Sequence, residues 1–137
     1  MNAFVVDTSV AIAWYLEEKF SGAARDWQRR FLKEEIALIA PSLHYWEFGN
    51  VLKTYVRRGE LEQTLADDIY QLHLDAPLRN AEPDRLSVFR RALEFDATVY
   101  DAVFIELALS LDASLLTAER STTPWVVKLG KKVKTVS

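Results

Sequence analysis

The chain has 137 residues, half of them hydrophobic, with 17 Lys and Arg against 20 Asp and Glu and a formal charge of −3. This length suits one domain, residues 1–137, that buries about two-thirds of its unfolded surface, and the composition excludes a disordered chain. The lack of Cys excludes disulfides, thiolate nucleophiles and Cys-based zinc sites, and no apolar run reaches the ~18 residues of a membrane span. Residues 3–6 are apolar throughout and read as a short buried strand, as parallel sheets require. Thr8 and Ser9 supply capping chemistry for a helix through about Leu16. A second helix spans Ser21–Lys33, and residues 36–39 form another apolar strand. Pro41 and Ser42 open a helix to Arg58, stopped by Gly59 in a left-handed cap. Leu61, Leu65, Ile69 and Leu72 repeat at helical spacing and predict a helix over 61–74.

Residues 78–81 are expected as a short edge strand. Asp84–Phe95 fits an amphipathic helix with Leu86, Phe89 and Leu93 on one side. Residues 99–111 are almost wholly apolar, as in a helix covered on several sides. Ser114–Thr117 reads as a strand and Lys132–Val136 as a last edge strand. Strands alternating with helices predict a three-layer α/β sandwich around a parallel sheet. The N-terminus lacks a basic region followed by an apolar core and a cleavage site, so a cytoplasmic protein with no membrane association is expected.

Asp7, Glu47, Asp101 and Glu119 lie far apart in the chain, each at the mouth of an apolar segment. Asp7 and Glu119 follow the first and fourth strands, which places both at the carboxyl edge of the sheet, where open parallel sheets bind ligands. With Thr98 as N-cap, Asp101 falls in the first turn of its helix, where the dipole favours its charge. Asn50 stands three residues after Glu47 on the same helix face, and Ser9 at the helix entrance is placed to hydrogen-bond Asp7 or a ligand. Individually, Asp7 also suits a helix cap, Asp101 a first-turn structural acid and Glu119 an exposed loop. Jointly buried, four like charges need a cation. Oxygen ligands without thiols, and with only His44 and His73 as imidazoles, suit Mg²⁺ or Mn²⁺ and metal-assisted phosphoryl chemistry.

The segments Asp7-Thr8-Ser9, Trp46-Glu47-Phe48-Gly49-Asn50-Val51-Leu52, Val99-Tyr100-Asp101-Ala102 and Leu115-Leu116-Thr117-Ala118-Glu119 resemble the sequential motifs of PIN domains. The resemblance covers the whole chain and is closest to VapC-type toxins of prokaryotic toxin–antitoxin pairs. It implies Asp7, Glu47, Asp101 and Glu119 as the acidic set, with Asp7 and Asp101 as metal ligands and Ser9, Asn50 and Thr117 as polar support. It further implies an endoribonuclease leaving 5′-phosphate and 3′-hydroxyl ends, a homodimer, and inhibition by a small VapB-like antitoxin covering the acidic pocket. The last acidic position is more often Asp in the family. The extra methylene of Glu119 leaves open a contact through water, direct ligation, or a smaller role.

Counting the four acids as ligands takes the rest of the chain from −3 to +1, so net charge neither supports nor excludes an RNA substrate. Arg57, Arg58, Arg90, Arg91, Lys128, Lys131, Lys132 and Lys134 are candidates to track its backbone. Trp14, Tyr15, Trp27 and Trp46 are candidates to stack bases or receive a partner helix, with core packing the competing role. Two other readings compete: a PIN-like RNA-maturation nuclease, and a non-catalytic α/β binding module. A phospho-receiver fits poorly, because Thr8 and Ser9 follow Asp7 and the second strand leads to Pro41. Four retained acids argue against a dead scaffold.

Overall fold

The computed structural model describes residues 2–137. Strands β1 (Asn2–Val6), β2 (Ile36–Ala40), β3 (Arg79–Asn80), β4 (Ser114–Thr117) and β5 (Val133–Thr135) form one parallel sheet in the order β3-β2-β1-β4-β5. The chain builds outward from β1 to β3, then returns across the sheet to lay β4 on the other side of β1. The topological switch therefore lies between β1 and β4, where open sheets form a ligand crevice beyond the strand ends.

Helices α1 (Thr8–Tyr15), α2 (Ser21–Leu32), α3 (Ser42–Arg57) and α4 (Gln63–Leu74) pack with one sheet face. Helices α5 (Arg85–Phe95), α6 (Val99–Ser110) and α7 (Pro124–Leu129) are associated with the other. The two-residue alternation of a strand divides the core accordingly: Phe4, Val6, Leu38 and Leu116 point into the first layer, Val5, Ile39 and Leu115 into the second. The three-layer α/β/α sandwich expected from the alternating pattern is the fold. Among the described residues no helix is long and apolar enough to cross a membrane.

Most predicted elements stand within one or two residues of their predicted ends, including the stop of α3, where Gly59 takes φ +72°. Three expectations need correction. Asp7, with extended φ and ψ, occupies the N-cap position of α1, and neither Thr8 nor Ser9 caps the helix. On α5 the buried residues are Val88 and Phe95, whereas Leu86, Phe89 and Leu93 are exposed. Periodicity defines a stripe but not the side that meets the sheet. Here the opposite side faces α6, and Arg91 on it pairs with Glu106, Nε to Oε1 at 2.8 Å. The short helix α7 is absent from the predicted elements, although Pro124 at its first turn and Gly130 at its end (φ +63°) are readable start and stop signals.

Candidate functional site

Asp7 ends β1, and its backbone N–H still donates to the Leu116 carbonyl at 2.8 Å, extending the β1–β4 ladder by one residue. Its side chain is half-buried and accepts a 2.8 Å hydrogen bond at Oδ2 from the hydroxyl of Thr117, a fully buried residue at the end of β4. The same Thr117 oxygen accepts from the backbone N–H of Glu119 at 3.1 Å. Thr117 thus ties the two acidic positions at the strand ends together. Burial pushes the Asp7 carboxyl up to about 7. The Thr117 bond and the Thr8 amide pull it down, and the charges of Asp101 and Glu47 add to the rise.

Glu47 sits half-buried on α3, one turn after His44, and its Oε1 accepts a 2.8 Å bond from the Thr8 hydroxyl. Burial raises its carboxyl, the Thr8 bond lowers it, and Asp101 raises it again. Asp101 lies in the first turn of α6, its backbone N–H donating to Oγ1 of the N-cap Thr98 at 3.0 Å, as its spacing predicted. Burial and the charge of Glu119 raise the Asp101 carboxyl, while the Thr98 hydroxyl offsets part of the rise. Glu119 is exposed, and its Oε1 accepts from Thr123 at 3.3 Å.

Asp7 and Glu47 therefore both feel the charge of Asp101, and Asp101 feels that of Glu119. Among the described residues none of them is in an ion pair: the Lys and Arg partners are Glu17, Asp26, Glu94, Glu106 and Asp112. Their negative charge is left uncompensated by the Lys and Arg side chains. Among the described residues, however, no three His, Cys, Asp or Glu side chains stand close enough to hold an ion by themselves. The predicted cage of converging ligands is replaced by a looser acidic cluster. Carboxylate oxygens are the donor type that hard divalent cations take, in sites that keep several waters.

The supporting residues divide. Thr117 bonds Asp7 as described. Ser9 instead accepts from the Ala118 amide at 3.4 Å, joining α1 to the loop after β4. Asn50 is exposed, and its backbone carbonyl accepts from the Thr54 hydroxyl at 3.1 Å. Sequence reasoning gives Thr8 a capping role alone. Its adjacency to Asp7 is the one signal in the sequence for its contact with Glu47. Among the basic candidates, Arg91 is bound to Glu94 and Glu106, and Lys132 to Asp112, while Arg57, Arg58, Arg90, Lys131 and Lys134 are at least partly exposed. Among the aromatic candidates, Trp14 is buried and Trp27 packs edge-on against Phe4. Trp46, beside Glu47, is 75% exposed.

A parallel sheet in this order, with acidic residues beyond the ends of β1 and β4, defines the class of protein, and the PIN domain family model matches residues 4–121. The chain belongs to the PIN domain family. Among its relatives, Ribonuclease VapC3 of Pyrobaculum aerophilum is 28% identical over 120 residues, covering 85% of this chain and 88% of that protein. The crystal structure of PAE2754 from Pyrobaculum aerophilum matches the fold with a TM-score of 0.74 at 22% identity, over 98% of this chain and 90% of that one. A toxin–antitoxin complex from Klebsiella pneumoniae includes a chain matching with a TM-score of 0.58 at 13% identity, over 98% of both chains.

Proposed function

We propose that this protein is a Mg²⁺- or Mn²⁺-dependent endoribonuclease, acting in the cytoplasm as the toxin of a VapBC-type pair, with Asp7, Glu47, Asp101 and Glu119 as its acidic site. The reading is carried by four carboxylates near the β1–β4 switch point that, among the described residues, have no Lys or Arg ion-pair partner. The name of the VapC3 relative supports the activity, and the Klebsiella complex supports an antitoxin partner.

Thr117 engages one oxygen of Asp7 and Thr8 one oxygen of Glu47, which leaves lone pairs on the second oxygen of each for a ligand. A bound divalent ion supplies charge neutralisation, acidification of an attacking water and stabilisation of the leaving oxygen. Asp7 and Asp101 are its ligands in this reading, with Glu47 and Glu119 acting directly or through water. Trp46 beside Glu47 and Tyr100 beside Asp101 are both exposed, and offer stacking faces to unpaired bases. Arg57, Arg58, Arg90, Lys131 and Lys134 supply positive charge for the phosphate backbone.

Two surfaces support protein partners. A groove of about 290 Å³ between α3 and α4, lined by Leu52, Val56 and Tyr70 together with Lys53, Arg57 and Asp67, suits an amphipathic antitoxin segment. The exposed Leu86, Phe89 and Leu93 stripe suits a second copy of the chain in a homodimer. Purified protein incubated with structured RNAs in Mg²⁺, Mn²⁺ or EDTA should cleave only with metal, leaving 5′-phosphate and 3′-hydroxyl ends. Cleavage that persists in EDTA, or in Asp101→Asn, rejects the assignment.

A further inference from the structure

His44 and His73, 29 residues apart with no ligand spacing between them, meet at 2.8 Å between their Nε2 atoms. Both are fully buried, and they extend the acidic site into the helical layer. Oγ1 of Thr8, which donates to Glu47, lies 3.3 Å from Nδ1 of His44. At the far end, the Tyr15 hydroxyl lies 3.0 Å from Nδ1 of His73. The contacts join Tyr15, His73, His44, Thr8 and Glu47 in a continuous chain across α1, α3 and α4.

Proton counting gives this chain a direction. Burial pushes His44 down to about 3, with His73 adding to the effect, and His73 down to about 4, so both rings are neutral at pH 7. A neutral imidazole has one N–H donor and one bare acceptor nitrogen. The single Thr8 proton goes to the Glu47 carboxylate, so the Thr8 oxygen must accept from His44 Nδ1–H. His44 Nε2 is then bare and accepts from His73 Nε2–H. His73 Nδ1 is bare in turn and accepts from Tyr15, whose phenol burial pushes up to about 12 and so keeps protonated. Every donor finds one acceptor, and among the described residues no buried side-chain polar atom lacks a partner. The surrounding walls are aromatic: His73 stacks on Phe48 at 4.2 Å and 10° between planes, with Trp14 edge-on at 5.9 Å. Such walls exclude the water that would otherwise randomise the direction.

We propose that the His44–His73 pair is a positioning device: it fixes the direction of the buried chain and thereby locks the Thr8 hydroxyl onto Oε1 of Glu47. The inference rests on the reading of Glu47 as part of a metal-binding acidic site. Without the pair, Glu47 alone orients the Thr8 hydroxyl, and the Thr8–Glu47 bond loses the support of the His44 N–H and weakens. Partners of this kind behind a metal ligand change affinity about 10- to 100-fold.

Two measurements test it. Long-range ¹H–¹⁵N correlation on histidine-labelled protein at pH 7 should find His44 protonated on Nδ1 and His73 on Nε2. The opposite pair of tautomers overturns the proposal without reference to cleavage or metal. Mn²⁺ affinity, read by electron paramagnetic resonance on metal-free protein, should then fall about 10-fold in His44→Leu and in Thr8→Val. It should recover in His44→Asn, whose amide nitrogen sits near the place of Nδ1. Both His44 variants lose the ring and its packing, and a polar amide suits the aromatic walls no better than Leu does, so a merely structural role predicts a loss in His44→Asn at least equal to that in His44→Leu. That outcome, or unchanged affinity in both His44→Leu and Thr8→Val, overturns the positioning role. If wild-type protein binds no Mn²⁺, the nuclease reading fails, and the tautomers alone decide the chain. Should His44→Leu not fold, Thr8→Val and the wild-type spectrum still decide.

Discussion

Asp7→Asn should stabilise the metal-free protein while abolishing cleavage. The folded Asp7 carboxyl stands at about 7 against an ordinary 3.8, and at 1.36 kcal/mol per pH unit that difference is about 4 kcal/mol. An unfolded chain loses this proton near pH 4 and the folded one near 7. Over that interval the folded state binds more protons, so this group's contribution to stability falls as pH rises and levels off above 7. Asparagine removes the charge and keeps a carbonyl to accept from Thr117. Water reaches the half-buried side chain, so about half the ceiling, ~2 kcal/mol, is the working figure. At about 3–5 °C per kcal/mol for a chain of this size, the melting temperature at pH 8 in EDTA should rise by about 6–10 °C. Circular-dichroism melts between pH 4.5 and 8 should show that gain shrinking toward the acid end. Millimolar Mn²⁺ should then raise the wild-type midpoint and leave Asp7→Asn nearly unmoved. A variant no more stable than wild type at pH 8 refutes the claim that Asp7 is held against its charge.

The buried imidazoles act with the opposite sign. His44 and His73 are depressed to about 3 and 4, so their contribution is complete above pH 6.5 and is lost as pH falls through that interval. Urea titrations between pH 7 and 4 should show a loss that His73→Phe reduces. A Cβ on Gly49 would stand 2.8 Å from Cε2 of Tyr70, whose hydroxyl donates to the Tyr45 carbonyl. Gly49→Ala should therefore cost about 1–2 kcal/mol despite better helix propensity, and become neutral or stabilising in a Tyr70→Leu background, as read by denaturant midpoints. Glu119→Gln should reduce Mg²⁺-dependent RNA cleavage less than Asp101→Asn, because Glu119 is exposed whereas burial raises Asp101. Equal losses in cleavage rate would refute that ordering. Leu86→Glu with Phe89→Lys should convert a dimer to a monomer in analytical ultracentrifugation without lowering the melting temperature, since both side chains are exposed in the single chain.

Several local signals were legible because one residue type carries one backbone consequence. Gly59 stops α3, Thr98 caps α6 over Asp101, and the unbroken apolar runs at β1 and β2 became strands covered on both faces. Orientation was less legible. Leu86, Phe89 and Leu93 form a true helical stripe, yet the layer packs against Val88 and Phe95. Leu65 and Leu72 on α4 behave alike, leaving Ala66 and His73 as its buried residues. An apolar stripe needs burial somewhere, and nothing along the chain distinguishes a domain's own core from a partner's surface.

From the order of residues alone came the alternating strands and helices and the acidic positions beyond β1 and β4, because period and punctuation act within a few residues of each other. Only the folded molecule decided what those acids touch. The Thr117 bond to Asp7 spans 110 positions, the Thr8 bond to Glu47 spans 39, and the meeting of His44 with His73 spans 29. Contacts of that range follow from how helices seat on the sheet, a choice made by summed packing over the whole core. For that reason two histidines with no recognisable spacing became neighbours, and four acids expected to converge became a looser cluster.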